Sequence, residues 1–542
     1  GSGGGMNLAS YFSKFRMRGG VHPEGRKELS ADIPIRVLPL PERLFVSLQQ
    51  HIGAPANAVV QVGDTVLKGQ LIPASTGAVS APVHAPTSGR VVAVGDYTAP
   101  HPSGLPVPTI TLEADGDERW IEFNPPADPF ALSPEEIATR VGAAGIVGLG
   151  GAAFPSAVKL NLSRRSGVTT LIMNGGECEP YLTCDDRLMR DRAPEVVAGI
   201  RLILRAVGAR EVLVGIEDNK PEAIAAMTAA AAGTEVQVRA VPAMYPMGSE
   251  KQLIQALTGK EVPAGGRAAD IGMLVHNVGT AFSVAQALKL GRPLVSRIVT
   301  VSGGAVAAPG NLEVLIGTPA QALFAASGGF RQTPARLVMG GPMMGQQFTN
   351  PLVPVIKGTS GVLALTPAEI GLPRRSPGRP KSGVAPSGGS SGDLSELGAQ
   401  VRQPAPCIRC STCVRACPVG LLPLEMAAHI RVADLGGAVD LGLKDCIACG
   451  SCSYVCPAHI PLVHFFNYAK GELAAKERGK MKQDATKKLA EERTARMERI
   501  AREREEAAKA RAAKKAAADA AKKAAAEAAA KAAAEKKEAE AV

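Results

Sequence analysis

Cys407-Ile408-Arg409-Cys410-Ser411-Thr412-Cys413-Val414-Arg415-Ala416-Cys417-Pro418 and, further along, Cys446-Ile447-Ala448-Cys449-Gly450-Ser451-Cys452-Ser453-Tyr454-Val455-Cys456-Pro457 are two copies of one run, C-x2-C-x2-C-x3-C-P. A cubane iron–sulfur cluster needs four thiolates around one cage, and three from a tight loop with a fourth from a distant segment supply them without straining the backbone. Two structural zinc ions would also take eight cysteines, but zinc ribbons favour paired C-x2-C knuckles separated by longer spacers. Disulfides need an oxidising compartment, and the sequence carries no recognisable secretory signal. The expected chemistry is a one-electron relay.

The spacing resembles that of two-cluster ferredoxins, in which the fourth cysteine of each run ligates the other cluster. That resemblance implies one [4Fe–4S] cluster on Cys407, Cys410, Cys413 and Cys456, and a second on Cys446, Cys449, Cys452 and Cys417. Each Cys-Pro pair stops its loop, and residues 421–432 between the runs read as a connecting helix.

A chain of 542 residues is far too long for one such module, so several domains are expected. Hydrophobic content of 46% with only 4% aromatics fits a chain rich in Ala, Val and Gly. Residues 271–288 are free of charge but hold His276, Asn277 and Gln286, which makes them a poor membrane span. The net charge of +11 is concentrated near the C-terminus: from Lys470 onward there are 21 Lys and Arg against 14 Asp and Glu. The rest is nearly balanced, and without aromatic interleaving or a groove-reading motif, nucleic acid is not expected as a partner.

Gly1 to Gly5 reads as an expression remnant and is set aside. Over residues 59–92, short β-branched runs alternate with Gly and Asp turns and read as a small all-β module. Residues 40–115 resemble the biotinyl/lipoyl barrel-sandwich family, whose carriers present a lysine on an exposed hairpin. No lysine lies between Gly69 and Arg90, so a structural or docking role is expected for a domain spanning 6–125.

An α/β body follows over 130–296, with buried strands at 170–173 and 212–216, a helix at 223–232, and Ser133-Pro134-Glu135-Glu136 as a helix start. Gly148-Leu149-Gly150-Gly151-Ala152-Ala153-Phe154-Pro155 is a glycine loop with Lys159 one turn on; such backbone lets N–H groups approach phosphate oxygens, although a plain tight turn fits the pattern as well. A second polar loop, Asn174-Gly175-Gly176-Glu177-Cys178-Glu179-Pro180, leaves the C-terminal end of a strand, where α/β sheets bind ligands. Cys178 and Cys184 read as small buried thiols.

These two loops are similar to the flavin-phosphate and acidic nucleotide loops of the NADH-binding subunit of respiratory complex I. Tyr245-Pro246-Met247-Gly248-Ser249-Glu250-Lys251 and His276-Asn277-Val278-Gly279-Thr280 resemble its later flavin- and NADH-contacting segments. Two departures are the absence of an arginine from the glycine loop and two clusters in place of one. The order of barrel-sandwich module, flavin body and two-cluster module over residues 6 to 470 instead resembles the RnfC/RsxC family of the Rnf ion-translocating ferredoxin:NAD oxidoreductase complexes. The resemblance implies noncovalent FMN held by Gly148, Gly150, Gly151, Phe154, Lys159, Asn174 and Asn277. It places Glu177, Glu179, Tyr245, Gly248, Glu250 and Lys251 in the flavin and NAD(H) surroundings.

Residues 297–365 contain strand, turn, strand, then a helix at 319–326, and resemble the soluble-ligand-binding β-grasp (SLBB) family. Met339-Gly340-Gly341-Pro342-Met343-Met344-Gly345 reads as ordinary core. Residues 366–404 are Pro-, Gly- and Ser-rich and read as a linker, 405–467 as the two-cluster domain, and 468–542 as a solvated Ala/Lys/Glu helix without a coiled-coil seam.

The fold class expected is therefore α/β multidomain: barrel-sandwich, flavin body with β-grasp insertion, ferredoxin-like α domain and helical tail. The function implied is electron transfer between NAD(H), FMN and two [4Fe–4S] clusters. It implies a peripheral subunit on the cytoplasmic side of the bacterial inner membrane, in a Na⁺- or H⁺-translocating complex with other Rnf subunits and ferredoxin as partners. A soluble NADH:ferredoxin oxidoreductase and a non-enzymatic adaptor with structural clusters are the alternatives.

Overall fold

The computed structural model describes residues 17–99, 105–371 and 404–539. The chain forms two compact units, 1–467 and 468–542.

The centre of the first unit is a four-stranded parallel sheet in the order Val236–Val241, Glu211–Glu217, Thr170–Gly175, Met273–Asn277. Leu171, Ile172 and Met173 are fully buried, as expected of a parallel strand covered on both faces by helices. Burying each such side chain contributes about 1.5–3 kcal/mol. In chain order the strands run third, second, first, fourth, so connections leave in opposite directions from the crevice between Thr170–Gly175 and Met273–Asn277. Such a switch point is where open α/β sheets bind ligands. Two helices, Ala193–Val207 and Val278–Leu290, cross on one face at Gly199, where any Cβ would lie 1.8 Å from the Ala281 carbonyl oxygen. The helix Pro134–Ala143 starts as its sequence predicts: Ser133 Oγ accepts from the Glu136 amide, and the Glu136 carboxylate accepts from the Ser133 amide.

Around this body lie three smaller parts. An antiparallel sheet, Arg43–Ser47, Pro106–Ala114, Gly89–Thr98 and Thr65–Val66, with the pair Asn57–Ala58 and Pro73–Ala74, makes the β module. Its one lysine near the hairpin, Lys68, is buried, paired with Glu118 and set against the Trp120 ring. A six-stranded sheet holds the segment after the body, in the order Arg36–Val37, Gly310–Leu315, Ser296–Ser302, Gly361–Leu365, Arg336–Met339, Gln346–Phe348. The short helices of residues 404–467 carry the cysteine runs; the connecting helix is Pro423–Arg431, followed by Leu435–Asp440.

Two segments make contacts beyond their own parts. Residues 17–38 pair outside the antiparallel sheet of the β module: Val21 bridges to Tyr245, and Arg36–Val37 joins the six-stranded sheet. Residues 366–371 are packed rather than linker-like, because the Glu369 carboxylate accepts from the Gly304 and Thr366 amides and from the Tyr181 hydroxyl. Residues 372–403, read from sequence as linker, and Gly1 to Gly5, read as an expression remnant, lie outside the described residues. The second unit holds most of the helix Leu462–Ala539, whose side chains from residue 476 to residue 537 are nearly all exposed.

Lys357 pins three parts together: its ammonium donates to the Pro82 carbonyl of the β module (2.7 Å) and the Gly145 carbonyl of the body (2.6 Å). His84 is buried at this junction. Burial, and then the Lys357 charge, push it down to about 3, and burial brings Lys357 down to about 7. An imidazole depressed in the folded state stays neutral there while the unfolded chain takes up a proton below its ordinary value. Its contribution is therefore full above about pH 6.5 and is lost as pH falls toward 3, by about 1.4 kcal/mol per unit. Thermal melts of the anaerobic chain should drop between about pH 7 and pH 5, and His84→Asn should flatten that drop. An unchanged slope in the variant would rule out His84 as its source.

Candidate functional site

At the switch point the sheet opens into a cavity of about 780 Å³, inside the range of about 300–1,000 Å³ typical of small-molecule sites. Asn174 and Asn277 end the two flanking strands and are direct neighbours in register. Asn277 Oδ1 caps the following helix through the Gly279 amide, and its Nδ2 donates to Asp185 Oδ2 at 2.7 Å. Asn174 Nδ2 donates to the Gly248 carbonyl at 2.7 Å. Both amides are thus occupied in shaping the crevice.

The glycine loop lies against Asn277: a Cβ on Gly150 would come within 3.2 Å of the Asn277 Cβ, and the Leu149 amide donates to Thr280 Oγ1. Gly151 has φ +116°, with open space where a side chain would stand. The helix Ser156–Arg165 begins directly behind; its first amide, on Ser156, donates to the Ile146 carbonyl, and Ser156 and Lys159 of its first turn line the cavity. Lys159 donates to the Val275 carbonyl and lies 3.7 Å from Glu250. Two buried polar atoms on the wall, Ser156 Oγ and His276 Nε2, have no protein partner. Buried donors and acceptors are rarely left so. A glycine-floored, amide-lined recess with unsatisfied polar atoms and a lysine fits the phosphate end of FMN.

The opposite edge is acidic. Both Glu177 oxygens accept from backbone amides, those of Asp185 and Asp186, and so cap the helix Cys184–Asp191. The Glu179 carboxylate accepts from the Met343 and Met344 amides, and burial raises it to about 7. Asp185 is likewise raised to about 7, by burial and then by the Glu177 charge. Glu179 thereby fixes the loop 339–345, which forms one wall of the cavity rather than ordinary core. Gln49 to Ile52 of the β module form another wall. Cys178 and Cys184 both reach the lining; burial raises both thiols. Of the residues expected around flavin and nucleotide, the structure gathers Gly148, Gly150, Gly151, Phe154, Lys159, Asn174, Glu177, Glu179, Tyr245, Gly248, Glu250 and Asn277 on one cavity. Lys251 is not among them. Its Nζ lies 3.2 Å from Asp445 Oδ1, in the cysteine-bearing part. Glu250 and Lys251 open the helix Glu250–Thr258, and neighbours on a helix point about 100° apart, so only one can face the cavity.

Next to the cavity, an apolar hollow is walled by Cys417, Cys446, Cys449 and Cys452 together with Val463 and Phe466. Cys417 of the first run thus stands with three cysteines of the second. Burial, with the neighbouring Cys449, Cys446 and Cys417, raises Cys452 to about 12. Cys413 in turn feels Cys456 and Cys410. Four thiolates around one hollow repel, and a cationic metal core relieves that repulsion. Four thiolates gathered from two distant runs fit the ligand demand of a cubane. Amides of Leu421 and Ala448 donate to the Cys417 and Cys446 sulfurs at 3.3 and 3.4 Å, the kind of contact that tunes a cluster's potential.

The two cysteine sets differ in access. Cys449 and Cys452 are buried, whereas Cys407 and Cys410 are exposed. Ile447 and Cys449 line both the inner hollow and the nucleotide cavity, and the Tyr245 hydroxyl donates to the Cys449 carbonyl at 2.6 Å. Sequence reasoning missed Gln49 to Ile52 and the place of the 339–345 loop on the wall. Ser156 and His276 fall inside or directly beside the quoted segments but were given no role of their own.

Residues 15–117 match the RnfC barrel sandwich hybrid domain, 141–286 the Nuo51 FMN-binding domain, 298–347 the SLBB domain, and 406–460 the 4Fe-4S dicluster domain. Sheet, cavity and cages define an iron–sulfur flavoprotein of the electron-transferring kind. The C subunit of the ion-translocating oxidoreductase complex of Rhodobacter capsulatus is 51% identical over 468 residues, 86% of this chain and 85% of that protein. The C subunit of the proton-translocating ferredoxin:NAD(+) oxidoreductase complex of Clostridium ljungdahlii is 42% identical over 469 residues, 86% of this chain and 96% of that protein. Among solved structures, a chain of an NAD+-reducing [NiFe]-hydrogenase in the H2-reduced state is 19% identical, over 65% of this chain and 63% of that one, with a TM-score of 0.42. The chain belongs to the RnfC family, the C subunits of ion-translocating oxidoreductase complexes.

Proposed function

We propose that the chain is the NAD(H)-facing electron-transfer subunit of a membrane-bound, ion-translocating ferredoxin:NAD oxidoreductase. The observation that carries this reading is the wall shared between the nucleotide cavity and the inner four-cysteine hollow. FMN bound in the cavity supplies the exchange between hydride and single electrons, and the two clusters supply one-electron steps. The protein's own part is to hold and orient. Amides of the glycine loop, the Ser156 hydroxyl and the Lys159 ammonium would take the phosphate; Asn174 and Asn277 keep the flanking loops in place. Glu177 and Glu179 shape the edge at which the dinucleotide would lie. Tyr245 ties that edge to the inner cage, and the exposed Cys407 and Cys410 put the outer cage within reach of a redox partner.

Among the described residues, no helix is long and apolar enough to cross a membrane. In this reading ion movement therefore belongs to other subunits of the complex, with this one docked peripherally on the cytoplasmic face. Anaerobic purification should return about eight iron atoms per chain, the number two cubanes require, together with one FMN that NADH bleaches. Zinc in place of iron, or a flavin indifferent to NADH, would overturn the proposal.

A further inference from the structure

The motif Arg18-Gly19-Gly20-Val21-His22-Pro23 and the residues after it have no role in the site as read so far. They form a strap, residues 17–31, that contributes no strand to the sheet of the β module or to that of the α/β body. The strap meets the redox apparatus at three successive points. The Gly20 amide donates to the Ala416 carbonyl, and a Cβ on Gly19 would come 2.5 Å from the Cys417 carbonyl oxygen. Val21 and Tyr245 exchange two backbone hydrogen bonds, at 2.8 and 2.9 Å. The Lys27 ammonium then donates to three carbonyls of the acidic loop: Glu177 at 2.8 Å, Glu179 at 3.0 Å and Leu182 at 2.6 Å. The Gly25 carbonyl accepts from the Tyr181 amide, and Ser30 bonds Thr183.

Three carbonyl oxygens converge only around a cation or a group with several donors, because their negative ends repel one another and each needs a partner when shielded from water. The loop that converges on Lys27 is an unusual one: Glu177 has φ +47° and Tyr181 φ +67°, conformations that residues with side chains seldom adopt. That shape aims the Glu177 carboxylate at the Asp185 and Asp186 amides and the Glu179 carboxylate at the Met343 and Met344 amides. Without the ammonium the carbonyls must turn outward, and both carboxylates turn with them. The phosphate end of the cavity stands on other segments, the glycine loop and Lys159, whereas the hydrogen bonds of Lys27 go to 177, 179 and 182.

We propose that Lys27 is a positioning residue for the dinucleotide. Its ammonium, delivered by a strap from outside the α/β body, gathers the 177, 179 and 182 carbonyls and so sets the acidic edge of the cavity. This rests on reading the cavity as the NAD(H) site.

The test uses the full chain prepared without oxygen, with NADH as donor and ferricyanide as acceptor. In Lys27→Met, three carbonyls lose their donor, so KM for NADH should rise about tenfold or more. The kcat at saturating NADH, FMN content and iron content should stay at wild-type levels, and Lys27→Arg should recover most of the affinity. Amides 177–183 should exchange hydrogen faster in Lys27→Met than in wild type. Where Lys27→Met does not fold, Lys27→Gln, which keeps a donor but not the charge, gives an intermediate KM. An unchanged KM, an Arg variant as poor as Met, or FMN lost in step with NADH affinity would overturn the proposal. A wild-type flavin that NADH leaves unbleached would instead overturn the reading of the cavity. In that event exchange at 177–183 still decides on Lys27, and equal rates in variant and wild type would dismiss it.

Discussion

Changing Cys417 to serine is expected to destroy the cluster of the other run, with iron falling from about eight to about four atoms per chain. Cys417 stands in the first run by sequence, yet its sulfur borders the hollow of Cys446, Cys449 and Cys452. Serine offers a harder and less readily ionised ligand, and three thiolates hold a cubane poorly. Paramagnetic spectra of the reduced chain should sort the variants by space and not by sequence. Cys417→Ser and Cys452→Ser should lose the same signal, and Cys456→Ser and Cys413→Ser the other. A spectrum in which Cys417→Ser groups with Cys413→Ser would show that the runs do not cross over. Because the inner hollow shares its wall with the cavity, Cys417→Ser should also stop electrons at the flavin: NADH would still bleach it, while reduction of the outer cluster would fall by orders of magnitude.

Lys159→Glu should reduce FMN retention about a hundredfold, the scale of losing a charge-assisted hydrogen bond and gaining a repulsion. In the wild type the ammonium sits between the Val275 carbonyl and Glu250, behind the glycine loop. A carboxylate there would face both Glu250 and the phosphate. Lys159→Met separates the two contributions, because it removes attraction without adding repulsion and should lose about tenfold. Flavin fluorescence released on denaturation, per folded chain, measures the occupancy. Wild-type occupancy in Lys159→Glu would remove this lysine from the phosphate end.

Legibility followed how local each feature is. The cages could be read because a ferredoxin-type loop writes three of four ligands into one short run, and the prolines mark its end. The glycine loop and the 174–180 loop could be read because each is a strand end or helix start with its chemistry contiguous. What escaped was assembled by topology. Gln49 to Ile52 lie on another module, and the 339–345 loop is held by Glu179 across a sequence gap of more than 160 residues. Lys27 reaches carbonyl groups, which leave no mark on sequence at all. Lys251 falls outside the cavity lining for a different reason, since a motif names neighbours together and a helix points them apart. Glu179 is a clamp between two loops, a role that requires the fold to be seen.

The bolt formed by Lys357 bears on how the β module has come to be used. Related carriers work as a swinging arm, ferrying a tethered group between distant stations. Here the lysine nearest the hairpin is stacked under Trp120, and the whole module is fastened to the body through Pro82 and Gly145. Among the described residues the module is thereby held as a fixed part of the cavity, which it walls with Gln49 to Ile52.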